Sequence, residues 1–137
     1  MKRLIYCICV IWFGSTSYGQ DCSSIKHGTF YSYPRNSYVT YEVIITRQDT
    51  IESVINELLA DTSFWKLDIT NNCVVNRKFI RNTIGVNEFQ SKYFYSDIYR
   101  EETLKITSEY YTFRGFWVKD SIRRLSTDTV WRKPHRK

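Results

Sequence analysis

The sequence predicts a mainly β fold, an antiparallel curled sheet or open barrel of roughly six to eight strands with at most one short helix. Three observations predict it. Short runs rich in Val, Ile, Thr, Tyr and Phe alternate in polarity with a period of two, as half-buried strands do. Turn-forming stretches such as Pro34-Arg35-Asn36-Ser37 and Asn71-Asn72 separate these runs. Aromatic residues make up 17% of the chain, a content that marks a folded rather than a disordered domain.

Taken in order, Thr29-Phe30-Tyr31-Ser32-Tyr33 reads as the first strand and Tyr38 to Arg47 as a second, dense in β-branched residues. Residues 49 to 61 fit two elements. Asp49-Thr50-Ile51-Glu52 has capping-box spacing, and Ile51, Val54, Ile55, Leu58 and Leu59 share one helical face. Ile51 to Ile55 also reads as a strand that turns back through a loop. Phe64 to Thr70 and Cys73 to Ile80 form a hairpin about Asn71-Asn72, since Asn tolerates positive φ. Residues 82 to 101, with Gly85 and the aromatic cluster Tyr93, Phe94, Tyr95 and Tyr99, read as a long loop holding at most a short strand. Strands then return at Thr103 to Ser108, Tyr110 to Phe116, Val118 to Leu125 and Thr129 to Arg132. A basic tail, Lys133-Pro134-His135-Arg136-Lys137, ends the chain.

The first nineteen residues have a different character. Lys2-Arg3 precedes ten apolar residues, Leu4 to Phe13, and then a small-residue stretch ending in Ser17-Tyr18-Gly19. That order is the signature of a secretory signal peptide, and the apolar run is short of the roughly 20 residues that span a bilayer. The expected cut follows Gly19, leaving residues 20–137 as a single β-rich domain in an exported protein, periplasmic, outer-surface or secreted. The formal charge of +6 then falls to about +4, because Lys2 and Arg3 leave with the signal. No transmembrane segment is expected in the mature chain.

Of the four cysteines, Cys7 and Cys9 belong to the signal, leaving Cys22 and Cys73. In an oxidising compartment these two most simply form one disulfide. It would close a loop of about 52 residues, worth roughly 4 kcal/mol, and would pin the mature N-terminus. Two free, buried thiols are the alternative. Neither the cysteines nor His27 and His135 have metal-ligand spacing, so no metal or cofactor is expected.

Catalytic signatures are missing as well. Ser63, Ser91, Ser108 and Ser121 lack a nucleophile-elbow context, and no phosphate-binding or zinc-protease motif occurs. Glu101-Glu102, Glu109, Asp120 and Asp128 read as solvated strand faces. Arg77-Lys78, Arg123-Arg124 and Arg132-Lys133 read as surface charge, and export argues against nucleic acid as their partner. The tyrosines are the surplus feature. Most serve cross-strand pairing, whereas Tyr93, Phe94, Tyr95 and Tyr99 lie in a loop, where half-exposed aromatic rings suit recognition.

Cys22, Lys26, Gly28-Thr29-Phe30 with Tyr31, Ile44-Ile45-Thr46-Arg47, Leu67-Asp68-Ile69-Thr70-Asn71-Asn72-Cys73 and Thr129-Val130-Trp131-Arg132-Lys133 form a recurring pattern. In it the chain resembles an uncharacterised family of small exported Bacteroidetes proteins. The resemblance implies a β-hairpin after Arg47, which leaves helix and strand both open at residues 50–60, and it brings no activity. The function expected from the sequence is therefore a non-enzymatic secreted or envelope binding module, with a protein or glycan of the envelope as partner. A structural or accessory subunit of an envelope assembly is the alternative, and a hydrolase with an unrecognised site the third reading.

Overall fold

Eight antiparallel strands, each hydrogen-bonded to its neighbours in sequence, close into a barrel in the computed structural model, which describes residues 21–35, 38–120, 122 and 124–135. The segment read as a signal peptide, residues 1–19, lies outside the described residues. The strands are β1 (Gly28–Ser32), β2 (Val43–Gln48), β3 (Ile51–Asn56), β4 (Asp61–Ile69), β5 (Val74–Asn82), β6 (Tyr99–Ile106), β7 (Tyr110–Trp117) and β8 (Ser126–Trp131). Two short helices accompany them, α1 (Ser23–Lys26) before β1 and α2 (Glu88–Phe94) between β5 and β6. β8 returns to β1 through only two residue pairs, Tyr31 with Trp131 and Ser32 with Val130. The barrel is mainly β, as expected, and it is closed.

Residues 51–56 are a strand. Gln48 faces Ile51 across a two-residue turn in which Asp49 takes φ +52°, so Asp49 bends a hairpin and caps no helix. The helical stripe fails because Glu52, fully buried, shares the inward face of β3 with Val54, while Ile51 and Ile55 each remain 41% exposed. At the β4–β5 hairpin the left-handed residue is Cys73, at φ +58°, directly after Asn71-Asn72. A turn followed by one left-handed residue is a common three-residue hairpin.

Alternate strands run in opposite directions, so the two ends of the barrel carry different loops. One end holds α1 and the turns 49–50, 70–73 and 107–109. Ile25 of α1, Phe30, Val75, Tyr111 and the two cysteines form a single buried cluster there. Cys22 and Cys73 are bridged, with Cα atoms 5.2 Å apart. A disulfide fits a non-cytoplasmic protein, and no helix among the described residues is long and apolar enough to cross a membrane. Arg132 seals the same end, donating to the Ser24 carbonyl at 2.6 Å and to its hydroxyl at 2.9 Å.

The other end carries the loops 33–42, 57–60, 83–98 and 118–125. Two expectations change here. The stretch from 82 to 101 holds α2, started by a reciprocal capping box in which Asn87 accepts from the Gln90 amide and Gln90 accepts from the Asn87 amide. The described residues between Val118 and Leu125 form no strand, where one was expected. The Asp120 amide turns back to the Trp117 carbonyl, and the buried Asp97 carboxylate takes the Lys119 amide. Ile122 and Leu125 are left 73% and 57% exposed, so the apolar content of this stretch builds no inward face.

Candidate ligand-binding cavity

Inward-facing positions alternate along every strand of a barrel. Here most are apolar: Phe30 on β1, Val43 and Ile45 on β2, Val54 on β3, Trp65 and Leu67 on β4, Phe113 on β7 and Val130 on β8. Charges also stand at this parity: Asp128 on β8 pairs with Ser32, and four others, on β2, β3, β5 and β6, meet one another. Arg47, Glu52, Arg77 and Glu101 are each at most 6% exposed.

The quartet is closely wired. Arg47 donates from Nε to Glu52 Oε2 at 2.6 Å, from Nη1 to the Ile25 carbonyl at 2.7 Å and from Nη2 to the Tyr111 hydroxyl at 2.8 Å. Its guanidinium also lies over the rings of Phe30 and Tyr111. Arg77 donates from Nε and Nη2 to the two oxygens of Glu52, and its Nη1 pairs with Oε1 of Glu101. Burial on its own would push the Glu52 carboxyl up, but Arg77 and Arg47 outweigh it and hold the group below its ordinary value. Two positive and two negative groups leave the cluster formally neutral, the condition under which buried charge is tolerable.

Above this charged floor, towards the α2 end, the side chains do not fill the barrel. A cavity of about 350 Å³ remains, floored by Glu52, Arg77 and Glu101 and walled by Val43, Val54, Trp65, Phe113 and Trp117. Phe94 of α2 lies over it. Its ring stacks on Trp117 at 5.6 Å between centroids and meets Trp65 at 5.7 Å and Phe79 at 4.9 Å. Polar groups on the upper wall are paired: Ser32 donates to Asp128 at 2.6 Å, and the Trp65 indole donates to Ser63 at 2.8 Å.

Gly115 shapes the upper wall. A Cβ at this position would collide with the ring and hydroxyl of Tyr99, which lies across it. The absent side chain lets Tyr99 reach Ser126, with 2.8 Å between the hydroxyls. Phe94 and Tyr99 thus line the cavity. Together with Tyr93 they also line a groove on the flank of α2, bounded by Asp120, Arg124 and Ser126. Tyr95 diverges from the other three, packing on Phe79 at 5.1 Å with half its surface exposed.

The buried quartet was hidden in the sequence. Arg77 and Glu101 read as surface charge, yet both are interior, while their neighbours Lys78 and Glu102 point the other way. The signal was parity: Arg77 keeps step with Val75 and Phe79, Arg47 with Val43 and Ile45, and Glu52 with Val54. A charge in phase with an apolar strand face belongs to that face. Comparison with protein-family models, with curated proteins and with solved structures gives no match to this chain.

Proposed function

We propose that the protein is an exported, non-enzymatic binding module that holds one small, largely apolar molecule inside its barrel. The observation that carries this reading is the unfilled interior of about 350 Å³ between the charged floor and Phe94. An eight-stranded barrel is just wide enough to be filled by side chains or to hold one small ligand. Here valines stand at positions 43, 54 and 130 where larger residues would close the space. The volume lies within the range of small-molecule sites, roughly 300–1,000 Å³. Export is supported by the Cys22–Cys73 disulfide together with the signal-like residues 1–19.

Trp65 and Trp117 line the cavity, so a bound apolar fluorophore accepts energy from them. Titration with N-phenyl-1-naphthylamine is expected to show saturable binding at one site. Val54→Trp, which fills the cavity, is expected to abolish that binding while keeping the thermal transition cooperative. Absence of saturable binding, or binding untouched by Val54→Trp, would overturn the proposal.

A further inference from the structure

The two ends of the barrel differ in what their loops show to solvent. Among the described residues, each of the four loops at the α2 end exposes a large apolar side chain. Tyr38, on loop 33–42, is 94% exposed, and Leu58 and Leu59 are the two middle residues of turn 57–60. Ile84 stands exposed on loop 83–98, and Ile122 and Leu125 on loop 118–125. The turns at the other end, Asp49-Thr50, Thr70 to Cys73 and Thr107 to Glu109, expose only polar side chains. Single exposed apolar residues need no explanation, but their presence on every loop of one end does.

These loops are continuous with the cavity, since Pro34 and Phe94 belong to two of them and line it. Whatever covers the loops therefore lies next to the cavity's occupant. Charge separates the candidate coverings. The four loops hold five Lys or Arg and five Asp or Glu, a formal charge of zero, in a chain whose total is +6. A nucleic acid or an anionic headgroup layer calls for a basic excess, and this end has none. A protein partner needs a contiguous, shape-matched face of about 800 Å². Here the apolar side chains are divided among four loops instead. A fluid bilayer requires no shape match, and it takes up apolar side chains to a depth of about 5–10 Å at its headgroup boundary.

We infer that the α2 end of the barrel docks on a lipid bilayer, with Leu58, Leu59, Ile84 and Ile122 entering its interface. The cavity then opens against the membrane rather than against water. The docking stands on the loops; its use as a route for an apolar ligand rests on the binding role proposed above.

The test is co-flotation of the mature chain, without the signal-like residues 1–19, with phosphatidylcholine vesicles. It is run with and without phosphatidylglycerol, at low and at high salt. Wild type is expected to float in all four conditions, with affinities within about twofold of one another, because no net charge drives the contact. Leu59→Asp combined with Ile122→Asp is expected to bind vesicles at least about tenfold more weakly, through lost apolar burial. Binding of N-phenyl-1-naphthylamine without vesicles should be unchanged, because neither residue lines the cavity. If the aspartate pair loses the cooperative thermal transition, Leu59→Ser with Ile122→Ser takes its place. Wild type that does not float, that floats only with phosphatidylglycerol, or that floats equally well after the substitutions overturns the inference. So does a dimer in solution that these substitutions dissociate, since the loops would then face a second copy. Each of these outcomes leaves the binding role standing. Failure of N-phenyl-1-naphthylamine to bind removes that role and the link to the cavity, while flotation still decides the docking.

Discussion

Glu52 shows what one buried carboxylate requires of its surroundings. It is fully buried, so its charge survives only because Arg47 and Arg77 both donate to it. Removing one member of such a cluster leaves the others uncompensated, at a cost of about 3–5 kcal/mol. Glu52→Gln is therefore expected to lose about that much stability in urea denaturation at neutral pH. The sign of the pH dependence follows from the same contacts. The folded-state value is lowered from an ordinary value of 4.5, so the unfolded chain takes up protons first as pH falls. The contribution is fully present above pH 4.5 and is lost as pH drops through the lower folded value. Wild type should thus lose stability steeply below about pH 4.5, and Glu52→Gln should fall along a shallower slope. A variant within 1 kcal/mol of wild type, or one with an unchanged acid slope, would mean that the glutamate contributes nothing net.

At the scale of elements, α2 is the piece that adds Phe94 to the lining of the cavity. Seven residues rarely hold a helix alone, so the reciprocal Asn87–Gln90 cap matters more than it would in a long helix. Asn87→Ala should cost about 1 kcal/mol locally. Because Phe94 reaches the cavity only from the end of α2, the change should weaken N-phenyl-1-naphthylamine binding severalfold while lowering Tm by no more than about 4 °C. Unchanged affinity would show that Phe94 is held by its ring contacts with Trp65, Phe79 and Trp117 rather than by the helix. The signature Asn87-Glu88-Phe89-Gln90 stood in the sequence, as did the similar spacing at Asp49 to Glu52. Only the first caps a helix, because tertiary contacts separate them: Glu52 is drawn inward by two arginines, which imposes a strand's period of two. A strand whose inner face is apolar, such as β7, was legible from alternation, while the expected strand from Tyr38 to Arg47 holds only from Val43 onward. The stretch from Val118 to Leu125 was misleading because Ile122 and Leu125 stay exposed while Val118 is only half-buried. Of the aromatic cluster, Tyr93, Phe94 and Tyr99 do gather at one place, whereas Tyr95 belongs to the outer packing on Phe79.

At the scale of the whole molecule, closure was the part of the fold least legible in the sequence, since it depends on a pairing between the first strand and the last. That seam is short. β1 meets β2 through five residue pairs and β8 through two, whereas β3 and β4 share six. What holds the seam lies largely outside the ladder: Ser32 donates to Asp128 at 2.6 Å, the His135 amide to the Tyr33 hydroxyl at 2.7 Å, and Arg132 to Ser24 at 2.6 Å and 2.9 Å. The His135–Tyr33 bond faces solvent and the others are only partly buried, so local opening there is cheap. The β3–β4 ladder instead contains Glu52, locked to two arginines on other strands, and can open only with the barrel. Amides bonded across β1–β8 are therefore expected to exchange with deuterium at least about tenfold faster than those across β3–β4. The two sets should also respond differently to urea below the unfolding transition. Seam amides should hardly change, since a local opening exposes little surface, while β3–β4 amides should accelerate as global unfolding does. A single urea dependence shared by both would mean that the barrel opens all at once, and that the bonds around Asp128 and Arg132 make the seam as strong as any continuous ladder.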